Sequence, residues 1–113
     1  MILHGNSSSV TAIGNDYSYD MVFSRQIEAF AKKEDIVIAL STSGNSVNVI
    51  LAVEKAKEIG CSVFGITGSR GGKMKDIIDE KNLIRIDRDR TSFIQESTIA
   101  IGHIISKIVE DNI

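Results

Sequence analysis

Four hydroxyl side chains fall within six residues at Ser41-Thr42-Ser43-Gly44-Asn45-Ser46. Serine and threonine can donate hydrogen bonds to phosphate oxygens without adding charge, and Gly44 lets the backbone turn tightly and approach a ligand. The run follows an apolar stretch at 36–40 and precedes a helical pattern. It therefore stands where parallel sheets present their ligands, at a helix start with free N–H groups and the positive end of the dipole. The plainer alternative is an N-cap turn in which Ser46 or Asn45 serves only the helix. A cap needs one hydroxyl, so the excess points to a phosphate.

Other polar clusters are weaker. Gly68-Ser69-Arg70-Gly71-Gly72-Lys73 could be a second phosphate loop, but it lacks the Walker A and dinucleotide spacings. It reads better as a turn into a short helix. Gly14-Asn15-Asp16-Tyr17 precedes the first expected helix, either as a helix-entry turn or as a binder of sugar hydroxyls. His103 lies in an apolar helical segment, as a packed core residue or a catalytic one. Gln95, eight residues earlier, is roughly 12 Å away along a helix axis. For both to hold one ion, side-chain reach or a second subunit must close that gap. His4 has no partner pattern.

The elements that position these residues alternate between apolar runs and helical patterns, which predicts βαβ units and a parallel sheet. Ile36-Val37-Ile38-Ala39-Leu40 reads as a strand covered on both faces. Residues 62–66 and 83–86 predict two more strands, and Ile2 and Leu3 could end a fourth. Helices are expected over 20–33, with Phe23, Ile27, Phe30 and Ala31 inward, and over 47–59, with Ile50, Val53 and Ala56 inward and Gly60 as C-cap. A short one over 73–80 turns Met74, Ile77 and Ile78 inward. The last, over 92–111, carries apolar residues around much of its circumference, which predicts packing against another subunit.

With 113 residues the chain predicts one domain, 1–113. Its net charge of −2 offers no general attraction to nucleic acid or to anionic membranes. The lone Cys61 excludes an internal disulfide and reads as a small buried hydrophobe. Neither a signal peptide nor a membrane-length apolar run is visible, so the expectation is a cytoplasmic protein.

Taken together, Thr11-Ala12-Ile13-Gly14-Asn15-Asp16-Tyr17, the 41–46 run, Thr67-Gly68 with Gly71-Gly72-Lys73, and Ile94-Gln95-Glu96 followed by His103 resemble the phosphoheptose isomerases, in order and in spacing. The hydroxyl loop alone indicates the wider SIS class of phosphosugar isomerases and regulators. The resemblance implies a three-layer αβα, flavodoxin-like parallel sheet and a homotetramer with sites between subunits. The implied reaction converts sedoheptulose 7-phosphate to glycero-manno-heptose 7-phosphate, a precursor of bacterial surface heptose (the lipopolysaccharide heptose). Ser41, Thr42, Ser43 and Ser46 would hold the phosphate, and Asn15 and Asp16 would bind substrate. Gln95 would contact substrate and a zinc ion, and His103 would be a zinc ligand and proton-transfer base.

Phe93 stands where the family usually has arginine, and Ser92 replaces a small or acidic residue. The family's first helix, first strand, Gly-Asn-Gly-Gly-Ser loop and catalytic Glu have no counterpart among these residues, nor do two of the zinc ligands. The expectation is therefore a partial SIS domain with impaired activity as an isolated chain. The alternative is a non-catalytic phosphosugar-binding module or a replication-initiator-associating protein.

Overall fold

The computed structural model describes residues 1–113. Its centre is a parallel sheet of β1 (Ile36–Leu40), β2 (Ser62–Gly68) and β3 (Leu83–Ile86), in the order β1-β2-β3. Ile36 is in register with Ser62, and Gly65 with Leu83. All three strands fall where the apolar runs predict them.

Around the sheet lie α1 (Ser7–Asp16), α2 (Val22–Phe30), α3 (Val47–Ile59), α4 (Met74–Ile77) and α5 (Thr91–Asp111). Ile50, Val53 and Ala56 of α3 are buried as expected, and each large aliphatic side chain so buried contributes roughly 1.5–3 kcal/mol. Gly60 closes α3 in the left-handed conformation, φ 100°, its N–H donating to Ala56 O and Lys57 O at 3.1 Å. Cys61 is buried and free, with its Sγ 3.2 Å from Lys32 O.

Three expectations are corrected. Residues 1–5 form no strand: Gly5 N–H donates to Ile2 O at 3.2 Å, closing a turn. Asn6 then caps α1, its Oδ1 accepting from Ser9 N–H at 3.1 Å. The expected helix over 20–33 is a 3-10 turn, Tyr19–Met21, followed by the shorter α2. Its buried residues are Val22, Ser24, Gln26 and Ile27, whereas Phe30 is 56 % exposed. The polar members tolerate burial by folding back on the helix: Ser24 Oγ donates to Met21 O and Gln26 Nε2 to Val22 O. The short helix expected over 73–80 stops at Ile77, with a separate 3-10 turn at Glu80–Asn82.

The sheet is covered unequally. Gly65 faces α4, so closely that a Cβ there would stand 2.7 Å from Ile78 Cδ1 and 3.0 Å from Met74 Cε. Gly68, an odd number of residues on and so on the opposite face, meets Ile94 of α5 in the same way, at 2.7 Å. Helices thus lie on both sides, which makes three layers. The α5 side is covered only near the carboxyl ends of the strands. Ile36, Ile38, Leu40, Phe64 and Ile84 share that face by parity and register, and all are exposed. Burial of the 36–40 strand on both faces is therefore not realised within this chain. A groove of about 650 Å³ runs along β1 between Phe23 and Phe30 of α2 and residues 1–4.

Only Ile94 of α5 is buried, and Ile99, Ile104, Ile108 and Val109 are each more than half exposed. No helix is long and apolar enough to cross a membrane. Met74, with no exposed surface, joins α4 to the sheet. Met74→Ala is expected to lower the unfolding free energy by about 2–5 kcal/mol; a loss below about 1 kcal/mol in urea titration would place the core elsewhere.

Candidate functional site

Three loops meet at the carboxyl ends of the three strands. The sheet ladder extends into them through Ser41 N–H, donating to Ile66 O at 3.1 Å, and Gly68 N–H, donating to Thr42 O at 2.9 Å. The 41–46 loop is thereby fixed against β2. A Cβ on Gly68 would stand 2.9 Å from Thr42 O, so the close approach needs glycine there.

Within the 41–46 loop the hydroxyls divide their tasks. Ser41, 8 % exposed, accepts from Gly44 N–H at 3.1 Å and pairs with Ser46 Oγ at 3.0 Å. Ser43 Oγ accepts from Asn45 N–H at 3.0 Å, which leaves its own proton free to donate outward. Ser46 occupies the N-cap position of α3 but makes no side-chain cap. Val49 N–H is taken by Asn48 Oδ1, and the amides of Val47 and Asn48 find no partner. The simple capping alternative therefore does not describe the loop, and the start of α3 keeps free donors and positive dipole potential.

The second loop, 68–73, braces the first. Gly44 has φ +70° and is pressed on Gly71, so a Cβ on it would collide with the Gly71 carbonyl; one on Gly72 would collide with Ser43 O. Met74 N–H donates to Gly44 O at 3.0 Å, and Asn45 Oδ1 accepts from Lys73 N–H at 2.8 Å. The reading of 68–73 as a turn into a short helix holds, and the turn also forms a wall of the site.

The result is a polar cleft of about 310 Å³. Thr42, Ser43 and Asn45 line one side, and Ser69 and Arg70 another. Arg88, Asp89 and Thr91, from the connection between β3 and α5, close it, with Ile94 at its base. Ser69 Oγ donates to Asp89 Oδ1 at 2.9 Å, tying the second loop to the third. The sequence reading did not name the third loop, and it set Arg70 in a segment weighed as a second phosphate loop but read in preference as a turn. The signal available was positional, since both follow strand ends just as the 41–46 run does.

The other anticipated site residues lie apart from this cleft. The 14–17 segment ends α1 instead of entering a helix, and Asn15 and Asp16 stand exposed in its last turn. Asn6 has already begun the helix upstream, which the reading from 14–17 missed. Tyr17 anchors this end, its hydroxyl accepting from Arg25 Nη2 at 3.1 Å and its ring lying 4.4 Å beneath that guanidinium. Gln95 follows Ile94 but does not line the cleft, and His103 is exposed more than two turns further along α5. No three His, Cys, Asp or Glu side chains are grouped to hold a metal ion. Gln95 and His103 lie eight residues apart on α5, both exposed.

Strand order, the hydroxyl loop at the first strand end and its glycine brace define a parallel α/β domain with a polar cleft at the carboxyl ends of its strands. The profile of the SIS domain family matches residues 1–68, and the chain belongs to that family. Among its relatives, a probable phosphoheptose isomerase of Thermoplasma volcanium is 53% identical over 110 residues, covering 97% of this chain and 55% of the relative. The phosphoheptose isomerase of Rhodospirillum rubrum is 49% identical over 111 residues, covering 98% and 58%. The solved structure of phosphoheptose isomerase GmhA from Neisseria gonorrhoeae superposes with a TM-score of 0.92 at 39% identity, over 96% of this chain and 61% of that one. The chain thus spans little more than half the length of the curated relatives it matches.

The Asn45 clasp should be measurable. Asn45→Ala is expected to cost about 0.5–2 kcal/mol, as for loss of a side-chain cap, and to speed amide exchange at Lys73. Unchanged exchange at that amide would mean that the brace does not depend on Asn45.

Proposed function

We propose that this chain is the phosphate-binding portion of a phosphosugar isomerase acting on sedoheptulose 7-phosphate to give D-glycero-D-manno-heptose 7-phosphate, a bacterial surface heptose precursor. One observation carries the reading: a hydroxyl-lined cleft beside a helix start with free amides, in a chain about half identical to proteins named phosphoheptose isomerases. Thr42 and Ser43 contact the phosphate directly, while Ser41 and Ser46 hold the loop that presents them. Asn15, Asp16 and Gln95 meet the sugar. Aldose–ketose interconversion moves a hydrogen between adjacent carbons and so needs a base and an acid. His103 is the candidate base.

The separation of Gln95 and His103 from the cleft supports two further parts of the proposal. Zinc binds at Gln95 and His103 only where another polypeptide contributes the remaining ligands, and the isolated chain binds substrate with little or no turnover. The exposed isoleucines of α5 support a homotetramer assembled through that helix. A cytoplasmic setting suits a chain whose one cysteine is buried and free. The same separation favours a second reading, a non-catalytic phosphosugar-binding module of the kind that could associate with a replication initiator.

Titration of sedoheptulose 7-phosphate with and without zinc, following heat and product together, tests the site. Ser43→Ala is expected to weaken binding about tenfold, the effect of one hydrogen bond to a charged group. Binding that survives this change in full sinks the phosphate assignment, and appreciable zinc-dependent turnover by the pure chain sinks the impaired-activity reading. For the assembly, Ile104→Glu with Ile108→Glu is expected to give monomers in sedimentation. A persistent oligomer would move the interface off α5.

A further inference from the structure

The hydroxyl loop leaves one physical problem unsolved. A phosphate monoester carries about −1.5 to −2 charges at neutral pH, and the protein itself carries −2. Hydroxyls and backbone amides are dipoles that supply no neutralising charge. Among the residues lining the cleft only Arg70 and Arg88 are cations, and they come from two different loops. Asp89 is the only anion there, and Ser69 Oγ already donates to it.

Neither guanidinium is consumed by the fold. Arg70 enters none of the molecule's ion pairs. Arg88 Nη1 donates to the carbonyl of Asp87 at 2.7 Å, which steadies the side chain and leaves its other N–H groups available. Both side chains are exposed, as charges that meet a ligand from solvent must be. Their loops are nonetheless anchored. Gly71 N–H donates to Gly68 O at 3.2 Å on one side, and Arg88 N–H to Ile86 O at 2.7 Å on the other.

We propose that Arg70 and Arg88 are specificity-determining residues of the cleft, forming a two-loop cationic clamp that selects a dianionic phosphate ester and faces the uncharged donors of Thr42 and Ser43. The inference rests on the phosphate reading of the cleft and adds to it the source of charge. Hydrogen bonds from guanidinium to phosphate are charge-assisted and about twice as strong as neutral ones, so the arginines discriminate phosphorylated from unphosphorylated sugar. The hydroxyl loop sets the position of the phosphate.

The test is calorimetric titration of sedoheptulose 7-phosphate, and separately of unphosphorylated sedoheptulose, into the wild type and the Arg70→Ala, Arg88→Ala, Arg88→Lys and Ser43→Ala variants. Each Arg→Ala change is expected to weaken sugar-phosphate binding about tenfold. Arg88→Lys should recover part of the loss. The difference should shrink in about 1 M salt, where the Debye length is ~3 Å, and binding of the neutral sugar should not respond. If both alanine variants bind within about twofold of wild type while Ser43→Ala fails, the clamp is refuted and the hydroxyl-loop reading stands. If the folded wild-type chain binds no sugar phosphate at all, both readings fall.

Discussion

The site depends on the pressing together of two backbone loops. Gly44 and the Gly71-Gly72 pair lie so close that no side chain can stand between them. Two hydrogen bonds, Met74 N–H to Gly44 O and Lys73 N–H to Asn45 Oδ1, hold the contact. Because the 68–73 loop occupies that space, the 41–46 loop has one conformation to adopt. Its Thr42, Ser43 and Asn45 then line one wall of a cleft, just ahead of the free amides that start α3. Preorganised donors of this kind bind an anion without first having to be ordered.

The same crowding shapes the rest of the domain. Gly65 and Gly68 lie on opposite faces of β2 and admit Met74 with Ile78 on one side and Ile94 on the other. The first contact fixes α4 below the second loop. The second fixes the start of α5, and with it the third wall of the cleft. Beyond Ile94, α5 leaves the body, and its apolar residues are uncovered together with the sheet face below Ile38 and Phe64. An exposed apolar surface of this extent usually marks a place of association.

The strands and α3 were legible because their signals are local and strong. A five-residue apolar run, a stripe of Ile50, Val53 and Ala56, and a C-cap glycine are each specified by neighbours in sequence. The hydroxyl loop was legible for the same reason, since its residues are contiguous and its position between strand and helix follows from theirs. Less legible was α1: its cap, Asn6, lies among serines that suit a loop equally well, and it buries no residue. Helix α2 misled because Ser24 and Gln26 are buried through bonds to their own backbone, which no hydrophobic pattern reveals.

By itself the sequence determined the parallel α/β class, the positions of the three strands and the hydroxyl-rich loop between strand and helix, because each is encoded in residues adjacent along the chain. Only the tertiary structure decided that Arg70 and Arg88 share the cleft with Ser43, and that Asn15, Asp16 and His103 do not. That outcome depends on strand order and helix direction, which bring together loops 18 to 45 residues apart in sequence. It also separates Gln95 from His103, neighbours on one helix, by the rise of the helix itself.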